Sequence, residues 1–293
     1  MKIAIIGAGS VGTNLHHAFE LKGIKTELIH GRPLTAPKTP KPLSGSPFKG
    51  EGIVDGGGDE PAGNDQMLNG FDVYIYAIAD QALREVVSVI HAPKALHLHT
   101  SGTMPMDVFG EDKPHAGVMY FLQSFSREVL IDDWSGIPCF VSGRNIDDVA
   151  AVYSLAQCLT SRIYEADQHD RERLHIAGVF ANNYSNLMYR IAADILRDTH
   201  IPFEALLPLI DNTAAKVHKM APKDAQTGPA QRGDMAVMKH QIEVLKAPLG
   251  PPIEGGRPRG DVFSADEMCE VYRVLGVLIA KKHNHPVPPT GQQ

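Results

Sequence analysis

The chain has 293 residues, of which 43% are hydrophobic and 21% are charged, a balance typical of a globular protein with one large or two ordinary domains. Its net charge of −6 argues against nucleic acid as the main partner, because phosphate backbones are bound mostly by lysine and arginine. The three cysteines are odd in number and never form a C-x-x-C pair, which favours neither disulfides nor a metal site. Since no segment reaches the length of a membrane span, we predict a cytoplasmic protein with no membrane partner.

Short apolar strands alternate with helices in the first half of the chain. This alternation predicts a doubly wound, mostly parallel α/β domain of Rossmann type over residues 1–166. Strands are predicted at 2–6, 25–29, 72–79, 95–100, 116–120, 137–143 and 161–166, and helices at 11–23, 81–91 and 146–160. Residues 31–70 are too rich in proline and glycine for regular structure, and we predict a long loop there.

The second half of the chain reads as helical almost throughout, which predicts an all-α domain over residues 167–293. Helices are predicted at 168–198, 203–219, 234–246 and 265–283. Ser264 and Glu267 have the spacing of a capping box at the start of the last helix.

The stretch "GAGSVG" matches G-x-G-x-x-G between a predicted strand and a predicted helix, the context that a dinucleotide-binding loop requires. Gly7 permits the tight turn, Gly9 lets the backbone approach a pyrophosphate, and Gly12 allows close helix packing. The helix that begins with Ser10 and Val11 supplies amides to the anion. These five residues are our candidates for binding the diphosphate.

The end of the second strand favours NADP over NAD. It reads "LIHGRP", with His30 and Arg32 where an NAD enzyme carries a carboxylate for the ribose hydroxyl. Arg32 can instead be a solvated loop charge. We also assign Ala79, at the end of the third predicted strand, to the cofactor site.

Two loops that follow predicted strands offer residues for chemistry, because such loops bind ligands in parallel sheets. "HTSGT" places Ser101 and the Gly102 amide near the nicotinamide, and we assign Ser101 a catalytic role. A Ser–His nucleophile with His99 is disfavoured, since spacing alone says nothing about contact. "YFLQSFS" offers Gln123 to a substrate, although bonding within the loop is an equal alternative.

The helical stretch "RLHIAGVFANNYSN" carries polar residues on an apolar background. On an α-helix His175, Asn182 and Asn186 share one narrow stripe. We assign His175 as a proton donor, Asn182 as a catalytic residue that orients the substrate, and Asn186 to the substrate site. Alternatively, the asparagines bond to neighbouring helices or across a dimer interface.

The turn "AQTGPAQRGD" gives two further substrate candidates, Thr227 and Arg232, followed by Asp234 at a natural helix cap. Arginine suits a carboxylate or phosphate because it donates two parallel hydrogen bonds. A salt bridge between Arg232 and Asp234 is the alternative.

With the glycine loop, "HTSGT", "YFLQSFS", "FANNYSN", "PLI" and "AQTGPAQRGD" in this order, the chain resembles the domain of unknown function 2520 family. These are predicted oxidoreductases related to pyrroline-5-carboxylate reductase and β-hydroxyacid dehydrogenases. The resemblance implies a Rossmann domain followed by a helical domain of 6-phosphogluconate-dehydrogenase-like type. It also implies a homodimer with its active site between the two domains.

The resemblance also provides a test, because β-hydroxyacid dehydrogenases carry a catalytic lysine three or four residues before an asparagine on the first helix of the second domain. Gly178, Val179 and Phe180 stand at those places here, so oxidation of a hydroxy acid by that mechanism is disfavoured. We predict an NADP-dependent reductase of a small, anionic carbonyl or imine compound. The alternative is a non-enzymatic NADP-binding or sensor protein.

Overall fold

A computed structural model describes residues 1–30, 70–197, 199–247 and 263–285. The chain divides into two compact units, Met1–Val179 and Phe180–Gln293. The division lies C-terminal to the domain boundary that we propose from the sequence, at 166 and 167. Arg32 and nearly all of the predicted 31–70 loop lie outside the described residues.

The first unit contains a seven-stranded sheet, in the order β2-β1-β3-β4-β5-β6-β7. Its strands are β1 Ile3–Ile6, β2 Thr26–Ile29, β3 Val73–Tyr76, β4 Leu96–His99, β5 Ala116–Phe121, β6 Cys139–Gly143 and β7 Ile163–Glu165. All neighbouring strands pair in parallel except β5 and β6, which are antiparallel. The predicted mostly parallel, doubly wound sheet is therefore confirmed.

Helices cover both faces of this sheet. Alternate residues of a strand point to opposite sides, and β1, β3, β4 and β5 are buried at every position, so both sides are covered. The helices are α1 Ser10–Leu21, α2 Asp80–Val89 and α3 Ile146–Gln157, with a 3-10 helix at Met106–Phe109 that the sequence did not predict. After β7 the chain forms α4 Gln168–Gly178. Leu15 and Phe19 of α1 pack on one face with Trp134. Leu83 and Val87 of α2 pack on the other.

The second unit is helical in all of its described elements, as predicted. A π-helix at Val179–Tyr184 enters it from the first unit and is followed by α5 Ser185–Leu196, a 3-10 helix Phe203–Leu206, α6 Leu207–Val217, α7 Pro222–Ala225, α8 Pro229–Arg232, α9 Met235–Lys246 and α10 Ala265–Lys282. The capping box of Ser264 and Glu267 is present at the start of α10. Within the described ranges, none of these helices is apolar and long enough to cross a membrane.

The predicted helix 168–198 is not one continuous α-helix. The π-helix separates α4 from α5, and its i to i+5 hydrogen bonds change the angle between successive side chains. The α-helical spacing that places His175, Asn182 and Asn186 on one stripe therefore does not apply across this segment.

Candidate cofactor-binding and active site

The turn between β1 and α1 is possible only with glycine at its first and third motif positions. Gly7 has a φ of +110°, and a Cβ there would lie 2.5 Å from the carbonyl oxygen of Ala77. A Cβ on Gly12 would lie 1.8 Å from the carbonyl oxygen of Gly7. Both glycines are thus required by the packing of the turn against β3 and α1.

Gly9, in contrast, has room for a Cβ among the described residues. It is the N-cap of α1 with no side-chain cap, and the nearest atom to a Cβ built there is 3.9 Å away. The first amides of a helix, here those of Ser10 and Val11, have no acceptor within the helix. Room beside the first amides of a helix fits a diphosphate group.

Two other predicted cofactor residues lie next to this turn. Ile29 at the end of β2 accepts a 2.7 Å hydrogen bond from the Gly7 amide, so His30 directly follows a residue bonded to the glycine loop. Ala77 packs on Gly7, and Ala79, two residues further along, is the exposed N-cap of α2. Within one unit, the structure brings both residues to the edge of the glycine loop.

Asn14 is a residue of this region that the sequence analysis missed. It is fully buried in α1, where its amide nitrogen donates to the carbonyl oxygens of Ser10, at 2.9 Å, and Ser126, at 2.6 Å. Its amide oxygen accepts from the Ile131 amide at 3.0 Å. A polar residue among the apolar positions of α1 was the available signal, since buried asparagine needs partners.

The loop after β5 contains the candidate Gln123, whose side chain accepts a 2.8 Å hydrogen bond from the Ser124 amide. Both residues are exposed. Further along the loop, Arg127 donates a hydrogen bond to the carbonyl oxygen of Ala8. The same loop therefore reaches the glycine turn.

Ser101 is held within its own loop. Its hydroxyl donates to the Asp80 carboxylate at 3.0 Å and accepts from the amides of Thr103 and Met104, at 3.1 and 3.0 Å. Thr103 also donates to Asp80, at 2.7 Å. These bonds fix the loop against the start of α2.

His175 lies in contact with Tyr120 and with the Ser101 loop. The Tyr120 hydroxyl is 3.2 Å from Nδ1 of His175, and a Cβ on Gly102 would lie 2.9 Å from the Tyr120 ring and 3.0 Å from that nitrogen. Burial raises the pKa of Tyr120, so its hydroxyl stays protonated at neutral pH. Tyr120 is a candidate catalytic residue that we did not select from "YFLQSFS".

His99 is a buried core histidine. Its Nδ1 accepts from the Ser101 amide at 3.3 Å, and its Nε2 has no partner among the described residues. Burial, aided by the positive charge of Arg171, lowers the pKa of His99 to about 3. Because His99 bonds to the backbone of Ser101, while the hydroxyl bonds to Asp80, the geometry does not form a Ser–His nucleophile.

Arg171 joins three parts of the first unit under the site. The residue is 2% exposed, and its guanidinium donates to the Ser142 hydroxyl at 3.0 Å and to the carbonyl oxygens of Ala166 and Met104 at 3.2 and 3.4 Å. These partners belong to β6, the segment between β7 and α4, and the loop after β4. Arg171 precedes His175 by four residues, so both side chains lie on one face of α4.

The remaining candidates belong to the second unit. Asn182 lies in the π-helix and Asn186 in α5, and both are exposed. Arg232 is the exposed last residue of α8, and it forms no ion pair with Asp234. Asp234 caps α9, as predicted, by accepting from the Val237 amide at 3.1 Å.

Thr227 completes this set of candidates. It is exposed, and its carbonyl oxygen accepts a 2.9 Å hydrogen bond from the Gln226 side chain. Its hydroxyl is therefore on the surface of the turn that leads into α8.

The sequence of residues 137–277 matches the model of a family described as Domain of unknown function (DUF2520). Over these residues, the match agrees with the resemblance that the motifs carry. No curated protein matches the chain.

Solved structures match over nearly the full length. A Bacteroides fragilis protein described as a presumed NADP oxidoreductase is 29% identical, with a TM-score of 0.71, and the match covers 96% of this chain and 98% of that one. A protein from Thermotoga maritima is 14% identical over 96% and 98% of the two chains, with a TM-score of 0.60. An imine reductase from Streptomyces aurantiacus is 14% identical over 83% and 87%, with a TM-score of 0.54. The two more distant structures share the fold.

Proposed function

We propose that this chain, whose residues 137–277 carry the domain of unknown function, is an NADP-dependent reductase of a small, anionic carbonyl or imine compound. The observation that carries the proposal is the contact between Tyr120, His175 and Gly102, which sets a proton donor beside the loop after β4. The glycine turn supplies the other requirement of such an enzyme, a place to bind the cofactor that donates the hydride.

NADP is the cofactor in this proposal. The residues that would hold it are Gly7, Gly9, Ser10, Val11, Gly12, His30, Arg32 and Ala79. Support comes from the room beside Gly9 among the described residues and from the absence of a carboxylate in "LIHGRP". The similar Bacteroides fragilis protein, described as a presumed NADP oxidoreductase, points to the same cofactor.

When bound, NADPH supplies a hydride to the substrate carbon. The chain itself must deliver a proton to the substrate oxygen or nitrogen. In protonated His175 the Nδ1–H group donates to the Tyr120 oxygen, which leaves the Nε2 proton for the substrate. Burial keeps Tyr120 neutral, so it orients the ring without trapping the imidazolium as an ion pair.

We propose a substrate-binding role for the other candidates. We assign Ser101 and Asn182 to orientation of the reacting group, and Gln123, Asn186, Thr227 and Arg232 to binding. Amide and guanidinium groups together suit an anionic compound. Asn182 and Asn186 are exposed within the single chain, which leaves their amides accessible to a ligand or to a partner subunit.

A second candidate function is NADP binding without catalysis. Its supporting observation is that Gly178, Val179 and Phe180 stand where a β-hydroxyacid dehydrogenase has its lysine. Wild-type protein that binds NADPH but turns over no compound would favour this function over the reductase.

The reductase proposal predicts that loss of NADPH absorbance depends on His175. Against a panel of imines and carbonyl acids, His175→Gln should lower kcat by about 10²- to 10⁴-fold, the usual contribution of a general acid. Tyr120→Phe should have a smaller effect of the same sign, and NADPH affinity should not change in either variant. Tyr153→Phe, at an exposed tyrosine of α3, is the control. Full activity in His175→Gln would contradict the assignment.

We further propose a cytoplasmic homodimer formed mainly by helices after residue 167. Its cysteines Cys139, Cys158 and Cys269 are free, as expected in a reducing compartment. The described helices of the second unit leave large apolar side chains exposed, which favours a protein partner. Val274 and Leu278 of α10 are each 53% exposed.

Light scattering should therefore give the mass of a dimer at micromolar concentration. Val274→Glu combined with Leu278→Glu should give a monomer, because two carboxylates would be buried at the interface. Val129→Glu changes an equally apolar side chain of the first unit, 69% exposed, and should leave the dimer intact. Monomeric wild-type protein would rule out the dimer.

A further inference from the structure

The connection between β5 and β6 brings a cation to the glycine turn. It begins after Phe121, and Arg127 within it donates a hydrogen bond to the carbonyl oxygen of Ala8. In the sheet β3 and β4 separate β5 from β1, so the connection spans the width of two strands to reach this turn. The contact between Arg127 and Ala8 therefore depends on the tertiary fold and not on local sequence.

The backbone around Arg127 is fixed. Buried Asn14 of α1 bonds to the Ser126 carbonyl on one side of Arg127 and to the Ile131 amide on the other. On the same helix, Nε2 of His17 lies 2.7 Å from the Asp132 carboxylate. Arg127 therefore extends from a loop that α1 holds in place beside its own N-terminus.

The guanidinium keeps donors for another group. Arginine has five N–H donors, the Arg127 side chain is exposed, and in the described part of the chain it pairs with no carboxylate. Between Ile3 and Leu21, β1, the turn and α1 contain no lysine or arginine. A dianionic ligand at this turn thus receives no full positive charge from the motif itself.

We propose that Arg127 binds the diphosphate of the dinucleotide, together with the amides at the start of α1. This inference rests on the proposed cofactor. A guanidinium matches phosphate oxygens with paired hydrogen bonds. Contact with Ala8 locates Arg127 at the β1–α1 turn, where dinucleotide folds bind the diphosphate, rather than after β2, where the ribose 2′ group is bound.

The test is calorimetric titration of the full chain with NADPH and NADH. Arg127→Ala should weaken both by a similar factor of about ten or more, because each has the same diphosphate. Arg127→Gln can still donate to the Ala8 carbonyl but has no charge, so it should show a loss of the same size with an unchanged unfolding temperature.

Arg144→Ala is the matched control. Arg144 is also exposed and also donates to a backbone carbonyl, that of Gly110, at 2.8 Å. Arg144 follows β6, which is antiparallel to β5, so the end of β6 pairs with the start of β5. The glycine turn follows the end of β1, which runs in the same direction as β5. Arg144 and the glycine turn therefore lie at opposite ends of the strands. Dinucleotide affinity should not change in this variant.

Unchanged affinity in Arg127→Ala and Arg127→Gln would show that Arg127 only bonds to Ala8, and would overturn the inference alone. Loss confined to NADPH would assign Arg127 to the 2′-phosphate and would also overturn it. Wild-type protein that binds neither dinucleotide would end the proposed function itself, and the inference with it.

Discussion

Gly9→Ala is expected to lower NADPH affinity by more than about tenfold while the free energy of unfolding changes by less than about 0.5 kcal/mol. Among the described residues, and apart from its two chain neighbours, the nearest atom to the new Cβ is 3.9 Å away, so the fold accommodates it. It does, however, occupy the space through which the diphosphate approaches the backbone. Isothermal titration and chemical unfolding of one protein preparation measure both quantities.

Gly12→Ala serves as the contrasting variant. Helix propensity alone would favour alanine by up to about 1 kcal/mol. The Cβ would, however, lie 1.8 Å from the Gly7 carbonyl oxygen, so the turn must move. We expect a net destabilisation of about 2–4 kcal/mol together with lost affinity. Equal stability in the two variants would contradict the roles that the packing gives these glycines.

Stability should fall steeply as the medium becomes acidic, because two histidines are buried in neutral form. Burial lowers the pKa of His97 from its ordinary 6.5 to about 4 and that of His99 to about 3. The unfolded chain therefore binds protons first as the pH drops below 6.5. The stability is fully present above pH 6.5 and is lost as the pH falls, down to about pH 4 for His97 and about pH 3 for His99. Within that range each histidine lowers the free energy of unfolding by about 1.4 kcal/mol per pH unit.

His99→Phe should reduce this dependence of the free energy of unfolding on pH by about the contribution of one histidine. His99 already stacks on Phe109, with ring centroids 5.7 Å apart, and its Nε2 has no partner among the described residues. At neutral pH a phenyl ring therefore keeps the stacking and loses the 3.3 Å hydrogen bond from the Ser101 amide. His91→Gln, at an exposed histidine, should leave the slope unchanged. Urea unfolding between pH 8 and pH 4.5 measures it, and an unaltered slope in His99→Phe would disprove the assignment.

Local patterns were sufficient to predict the elements whose signals lie within a few residues. The β1–turn–α1 unit, the Asp234 cap and the capping box of Ser264 are each specified by adjacent side chains and backbone groups. The short helices α7 and α8 were not predicted, because "PKDA" and "PAQR" are too short to show a helical period.

Tertiary contacts explain what was missed at the candidate site. Tyr120 and His175 are 55 residues apart, and Arg127 and Ala8 are 119 apart, so neither pairing leaves a pattern in one sequence. The π-helix at Val179–Tyr184 has no signal in side-chain polarity, since it differs from an α-helix only in its backbone bonds. His175 was predicted from its polar position on an apolar helix, but its partner was not.

The reversal of strand direction between β5 and β6 has a consequence for how such a chain can diversify. Parallel neighbours must be joined by a long crossover, usually a helix that covers the sheet, whereas antiparallel neighbours need none. The connection from β5 to β6 therefore does not have to form a helix that covers the sheet. Trp134 within it packs on the core, with its ring 4.8 Å from the Phe121 ring. We therefore expect substitutions around Arg127 to change ligand preference in related proteins without changing the sheet.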